Sequence, residues 1–306
     1  MNASYLKKNI TREFNSGNEI KTEQEYFYDA PRHLNVSRDS KLNSNNIVEL
    51  TRYKYVNDYV FPPLSTIPTA NEIHDLAALV SNNVINIPVE INNSIIKGGV
   101  EYVTGGKLNY FEDLKVEKTF ELETNNLINV SGFNFSTVNP TGFVFDSRYK
   151  ETVNFPKYDS KGNILEIKPA DGITTSYIWG YNNQYPIAKV INATYQDITN
   201  VLGTATLTQL NNGYKQVVVS PGPPQVIYKN IALTDAEIRT MLMVLQTSLT
   251  NAQVNIFTYK PLIGITSTTD VKGRNTYYEY DEFNRLKTVK DHDGRILSEN
   301  EYHYKN

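Results

Sequence analysis

The chain has 306 residues, with 30 Lys and Arg against 33 Asp and Glu and a formal net charge of -3. That balance argues against a nucleic-acid binder living on a basic surface, and the absence of cysteine excludes disulfide scaffolds, thiolate metal sites and cysteine nucleophiles. The length allows a sizeable buried core, no apolar run reaches the ~18–20 residues of a membrane span, and residues 1–8 hold no signal-peptide apolar core.

Along the chain the aromatics recur in pairs spaced by two: Tyr26/Tyr28, Tyr53/Tyr55, Phe133/Phe135, Phe143/Phe145, Tyr177/Trp179, Phe257/Tyr259, Tyr278/Tyr280 and Tyr302/Tyr304. That spacing puts both rings on one face of a strand, whereas on a helix they would stand about 200° apart. The pairs predict strands with a packed aromatic face.

Three helices interrupt them. Thr69 and Glu72 form a capping box ahead of Ile73, Leu76, Ala77 and Val80, predicting a helix over about 69–81. Ile198, Val201 and Leu202 mark a shorter one over 195–202, with Gly203 as its stop. Thr234 and Glu237 repeat the capping box before Ile238, Met241, Leu242 and Leu245. Between the last two helices, Ser220-Pro221-Gly222-Pro223-Pro224 excludes a central strand. Residues 193–255 therefore read as a helix-containing insertion on one edge of a strand array. It separates an N-terminal hairpin region, 1–192, from C-terminal hairpins over 256–306.

The chain also aligns on itself. Tyr158-Asp159-x-x-Gly162 and Tyr280-Asp281-x-x-Asn284 each place a residue tolerant of positive φ three after the aspartate. An aliphatic residue follows two further on, Ile164 or Leu286, and an Asp-Gly ten after the Gly or Asn, at Gly172 or Gly294. A third register relates Gly273 to Tyr278 and Tyr280 as Gly172 relates to Tyr177 and Trp179. The reading is strand, tight turn, strand, tight turn, with Asp-Gly in type I′ turns. It pairs strands 276–281 and 301–305 through 293–294. Asp159 and Asp281 are placed to accept turn amides, a structural role and not a catalytic one.

Tyr280-Asp281-x-x-Asn284-Arg285-Leu286, with Gly294 downstream, resembles the repeat of the Rhs/YD-repeat family, whose pattern is Tyr-Asp-x-x-Gly-Arg-Leu and a later Gly. Asn284 stands where the family has Gly; Tyr158-Asp159-x-x-Gly162 keeps the Gly and loses the Arg-Leu; Tyr28-Asp29 has Arg32 in place of the Gly. The resemblance covers about 156–192 and 256–306, where Ile178-Trp179-Gly180-Tyr181-Asn182 with Tyr185-Pro186-Ile187-Ala188-Lys189, and Tyr259-Lys260-Pro261-Leu262-Ile263-Gly264, also resemble the distal part of YD-repeat proteins in Bacteroidetes. It implies a mostly β, antiparallel hairpin array forming a curved sheet or partial β-spiral, with about three short helices in insertions. It also implies a cell-surface or secreted location, the rest of a longer repeat chain as partner, and a shell that encloses an effector in toxin-bearing members. The Pro-Asp-Pro-Gly type of self-cleavage motif is absent and 306 falls two residues past the last aromatic pair, so an active toxin is not expected.

No nucleophile elbow, phosphate-binding glycine loop or His-Glu-x-x-His is present. Asp291-His292-Asp293-Gly294 fails as a calcium loop because Val289 and Asn300 stand where acids are needed. His292 and His303 lack a third metal ligand, so neither metal nor cofactor is expected. The expectation is a non-enzymatic structural or interaction module. The alternatives are a carbohydrate-binding module using exposed aromatic strand faces, with a cell-surface glycan as partner, and a carboxylate-based hydrolase in a groove beside the helical insertion.

Overall fold

The computed structural model describes residues 5–15, 18–43, 47–67, 72–220, 222 and 225–302. Thr69, Pro221, Pro223, Pro224, His303 and Tyr304 lie outside the described residues. Among the described residues the chain is mostly β and antiparallel with three α-helices, and it divides into two compact units, Met1–Asn154 and Phe155–Asn306.

The first unit comprises β1 (Lys8–Asn15), β2 (Asn18–Phe27), β3 (Arg38–Leu42), β4 (Val48–Tyr55), α1 (Glu72–Ser81), β5 (Pro88–Lys97), β6 (Val100–Glu112), β7 (Lys115–Leu122), β8 (Ile128–Asn129), β9 (Thr137–Asn139), β10 (Gly142–Val144) and most of β11 (Tyr149–Tyr158). Each strand from β1 to β6 pairs with the next, β8 lies on β6 and β11 on β7, and β9–β10 form a separate ribbon. The two-residue reversals at Gly98-Gly99 (φ 60° and 75°) and Asp113-Leu114 (φ 48° and 66°) have the paired positive φ of type I′ turns.

Helix α1 buries Ile73, Leu76 and Leu79, not the 73/76/77/80 stripe, and Val80 is exposed. The chain leaving the helix folds back through the Val84 amide, which donates to the Leu79 carbonyl at 2.8 Å, and Val84 packs against the core cluster that holds Leu79. Phe133 and Phe135 are not on a strand. They follow a short 3-10 turn (Val130–Gly132), and the intervening Asn134 amide donates to Asp146 Oδ2 at 3.0 Å in place of a ladder. Their rings meet each other, centroids 5.0 Å apart.

The second unit holds β12 (Ile164–Pro169), β13 (Thr175–Gly180), β14 (Tyr185–Ile191), α2 (Tyr195–Asn212), β15 (Tyr214–Ser220), β16 (Ile227–Ala232), α3 (Asp235–Ser248), β17 (Gln253–Lys260), β18 (Gly264–Thr269), β19 (Asn275–Tyr280), β20 (Leu286–Lys290) and β21 (Ile296–Glu299). Strand β14 pairs directly with β17, so α2, the β15–β16 ribbon and α3 form an excursion between neighbouring strands. The capping box at Thr234 and Glu237 forms as its residues dictate, and Ile238, Leu242 and Leu245 are buried. Gly203 does break the helix it follows (φ 74°, ψ 157°), but a second helical stretch starts at once and ends at left-handed Gly213.

Beneath the helices, Ile178, Ile187, Val190, Val254 and Ile256 meet Ile198, Leu210, Leu242 and Leu245 in one core. Full burial of each such side chain contributes roughly 1.5–3 kcal/mol. The paired rings Tyr177/Trp179 and Phe257/Tyr259 occupy the other, half-buried faces of β13 and β17.

The turns of this unit correct two expectations. Gly294 has φ 81° but Asp293 is not left-handed, and Gly172 has no positive φ, so neither Asp-Gly pair forms a type I′ turn. Strand β19 pairs with β20 across 281–285, and 291–295 joins β20 to β21, so the hairpin partner of 276–281 is reached through 281–285 and not through 293–294; residues 303–305 lie outside the described residues. Because Gly294 must hold φ 81° and Asn284 φ 60°, Gly294→Val is expected to destabilise by more than ~1 kcal/mol and Asn284→Gly to be neutral or mildly stabilising. Thermal melts of the two variants giving the opposite order would refute this turn geometry.

Candidate functional site

Four turns of the second unit share one construction. Asp159, Asp270, Asp281 and Asp291 each donate their own amide to the carbonyl four residues on, at 2.8–3.0 Å, and accept the amide three residues on. The Oδ1 of each also accepts two further turn amides: Lys161 and Asn163, Lys272 and Arg274, Phe283 and Arg285, or Asp293 and Arg295, all at 2.8–2.9 Å. The fourth residue is left-handed every time: Gly162 (86°), Gly273 (76°), Asn284 (60°) and Gly294 (81°). This is a type I turn closed by a left-handed residue, as in three- to five-residue hairpins. In a fifth position Pro169 replaces the aspartate and Gly172 relaxes out of positive φ.

The arginine of the repeat has a geometric reason. Arg285 Nε donates to Asp281 Oδ2 at 2.7 Å and Arg274 Nε to Asp270 Oδ2 at 3.0 Å, while Asn163 Nδ2 serves Asp159 at 2.9 Å. The tyrosine has one too. Tyr280 OH donates to the Ile265 carbonyl at 2.9 Å, Trp179 Nε1 to Ile164 at 2.9 Å and Tyr302 OH to Leu286 at 3.0 Å, each tying a chain segment to the start of an earlier strand. Tyr158 ends β11, Tyr278 lies in β19 and Leu286 opens β20. These residues are distributed along the array; none converge on a common point. Asp270 and Asp291 were missed as turn caps because no tyrosine precedes them, although Asp-x-x-Gly-Arg is present at both.

A second constellation lies in the first unit and has no counterpart in the sequence reading. On β5 the buried face is the polar one: Glu90, Asn92 and Ser94 are buried, Glu90 completely. An unpartnered buried carboxylate would be very costly, and here four donors surround it. Oε1 accepts Asn92 Nδ2 at 3.2 Å and Tyr149 OH at 3.1 Å; Oε2 accepts the Ser136 amide at 2.8 Å and the Ser136 hydroxyl. Tyr149 OH is also 2.8 Å from Asn92 Nδ2. Lys54, opposite Glu90 in the β4–β5 ladder, donates to the Ser136 carbonyl and lies 4.5 Å over the Tyr59 ring. Burial holds the Lys54 ammonium below its usual pKa and pushes the Tyr59 and Tyr149 hydroxyls well above theirs. Gly106 makes room for this cluster, since a Cβ there would sit 2.5 Å from Tyr149 OH. A cavity of 440 Å³ opens beside it, lined in part by Arg52, Tyr53, Lys54, Asn92 and Phe135.

The 320 Å³ cavity beside α2 and α3 has a single lining carboxylate, Glu237, which is held by Thr234 and Lys215. Aromatic rings spend their faces on each other: Tyr185 stacks on Tyr259 at 4.9 Å, and Tyr181 meets the same ring edge-on at 5.9 Å. Among the described residues no group of three or more metal-ligating side chains occurs, and no helix is long and apolar enough to cross a membrane. His292 instead accepts the Asn275 amide at 3.2 Å.

No family model and no curated protein matches the chain. Among solved structures it is similar to TcdB2-TccC3 without its hypervariable C-terminal region (9% identity, TM-score 0.34), covering 96% of this chain and 12% of that one. It is also similar to the TcdB2-TccC3-Cdc42 complex (10%, TM-score 0.32, 91% and 13%) and to a Photorhabdus luminescens Tc holotoxin pore (10%, TM-score 0.31, 92% and 13%). The chain thus spans about an eighth of the length of these chains.

The Arg285 guanidinium, then the turn amides, hold the Asp281 carboxyl below its usual range; the Arg274 amide does the same for Asp270, and Lys215 brings Glu237 down to about 2. A carboxyl whose folded pKa is depressed stabilises the fold above its unfolded value and loses that contribution as pH falls through the folded one. Melting temperature should therefore be flat above pH ~5 and fall between pH ~4 and ~2. A melting temperature constant over that interval would contradict the caps. Gly106→Ala should cost about 1–3 kcal/mol in urea unfolding by overpacking against Tyr149.

Proposed function

We propose that the chain is a non-enzymatic structural or interaction module of the YD-repeat type, working within a larger hairpin assembly at a cell surface or in secreted form. The observation that supports this reading is the recurrence of the carboxylate-capped turn. Its acids cap turn amides, its arginines pair with those acids, and its tyrosines tie later segments to the starts of earlier strands.

The mode of interaction follows from how the array grows. Strand β20 adds to β19 and β21 adds to β20, each after one capped turn. Among the described residues β21 has a register ladder with β20 alone, and it exposes Ile296 and Leu297. An open strand edge is a template for a further strand, and the strand that fits by continuity is another of the same hairpin type. A second copy of the chain supplies such a strand at high concentration.

In sedimentation experiments the chain should self-associate with rising concentration, and the double variant Ile296→Lys, Leu297→Lys should remain monomeric with an unchanged melting temperature. Wild-type protein that stays monomeric at every concentration would remove the support for strand addition.

A further inference from the structure

The buried cluster of the first unit holds the parts of a self-catalysed crosslink. We propose that Lys54 and Asn92 form an intramolecular isopeptide bond, with Glu90 as the proton shuttle. This inference is independent of the strand-addition reading, because none of its residues lies in β19–β21.

The placement comes from the ladder. Lys54 of β4 lies opposite Glu90 of β5, and Arg52 lies opposite Asn92, so Lys54 and Asn92 are diagonal neighbours on one face. Diagonal partners are about 7–8 Å apart at the backbone, within reach of a lysine. Both side chains line the 440 Å³ cavity.

Both reacting groups are hydrogen-bonded within the same cluster. Asn92 Nδ2, the atom that must leave, donates to Glu90 Oε1 at 3.2 Å and to Tyr149 OH at 2.8 Å. The Lys54 amine is held on the Ser136 carbonyl, and the amide and hydroxyl of the same Ser136 donate to Glu90 Oε2. Lysine and glutamate are therefore docked on one residue. Glu90 is completely buried and Asn92 is 2% exposed, which limits the water that can compete with the amine at the Asn92 carbonyl. Burial also lowers the proton affinity of Lys54, the direction that a nucleophilic amine requires.

The step balances without an oxidant or co-reactant. Glu90 takes a proton from the Lys54 ammonium, and the freed Nζ lone pair bonds to Asn92 Cγ. The tetrahedral carbon then collapses, the Cγ–Nδ2 bond breaks, and Nδ2 gains one proton and leaves as ammonia. Of the two protons that Nζ gives up, one departs on the ammonia and the other stays on Glu90 until it exchanges with solvent. Removing the shuttle should slow the bond-forming step by the 10²–10⁴-fold typical of general acid–base catalysis.

Intact mass spectrometry of the full chain tests this directly. The folded wild type should be lighter than its sequence by one ammonia, and peptide mapping should show a branched peptide joining the segments around Lys54 and Asn92. Lys54→Arg and Glu90→Gln should retain the full sequence mass. Succinimide formation at Asn212-Gly213 also expels ammonia, and the branched peptide separates the two events without relying on any variant. Folded wild type that keeps its full mass after prolonged incubation, or that loses ammonia with no branched peptide, overturns the proposal.

Discussion

An aspartate that accepts two turn amides sets four of the reversals in the second unit. Amides at a tight turn point away from the strand ladders and need an acceptor. A carboxylate at the first turn position supplies it, and Oδ1 of Asp281 takes the amides of Phe283 and Arg285 together. The left-handed residue that follows returns the chain to the ladder, and the register of the next strand is then set. A slip of one residue would turn every side chain to the opposite face. Arg285 neutralises the cap and also lies 4.2 Å over the Tyr302 ring, so the same residue joins the turn to the chain beyond β21.

The two units place their charged groups differently. In the second, the capping carboxylates are on the surface, and each serves the turn in which it sits. In the first, Glu90 has no solvent and draws its donors from Ser136 and Tyr149, 46 and 59 residues away. Surface caps of the first kind fail locally. A buried carboxylate stripped of one donor keeps its desolvation cost and gains nothing in return.

That difference explains what could be read from the sequence. Helix α3 was fully legible, because its capping box and its apolar stripe are both local patterns. In α1 the composition was right but the face was misjudged: rows 73/76/79 and 73/76/80 are nearly equivalent over ten residues, and only the returning Val84 selects Leu79. Paired aromatics did mark strands in β13, β17 and β19, yet in β13 and β17 they mark the half-buried face, while Ile178, Val254 and Ile256 carry the core. Gly and Asn positions located the reversals, but Asp-Gly suggested two-residue turns where the aspartate three positions earlier imposes a longer one. The Glu90 cluster was invisible, since alternation assigns Glu90 and Asn92 to solvent and their partners are remote in sequence.

A polar stripe in a sheet core calls for a reason, because apolar side chains of similar size would usually be as stable or more so. The β4–β5 pairing supplies one. Strands β5, β6 and β7 are joined by two-residue turns that fix their registers, whereas a long segment carrying α1 separates β4 from β5 and fixes nothing. Across that one interface Arg52 faces Asn92 and Lys54 faces Glu90, and Arg52 continues to Glu101 of β6 through a two-armed ion pair. Any other register would bury Lys54 and Glu90 without these donors and acceptors. The stripe therefore does for β4 and β5 what a tight turn does elsewhere in the sheet. A bond from Lys54 to Asn92 would make that register permanent at the place where the backbone leaves it least determined.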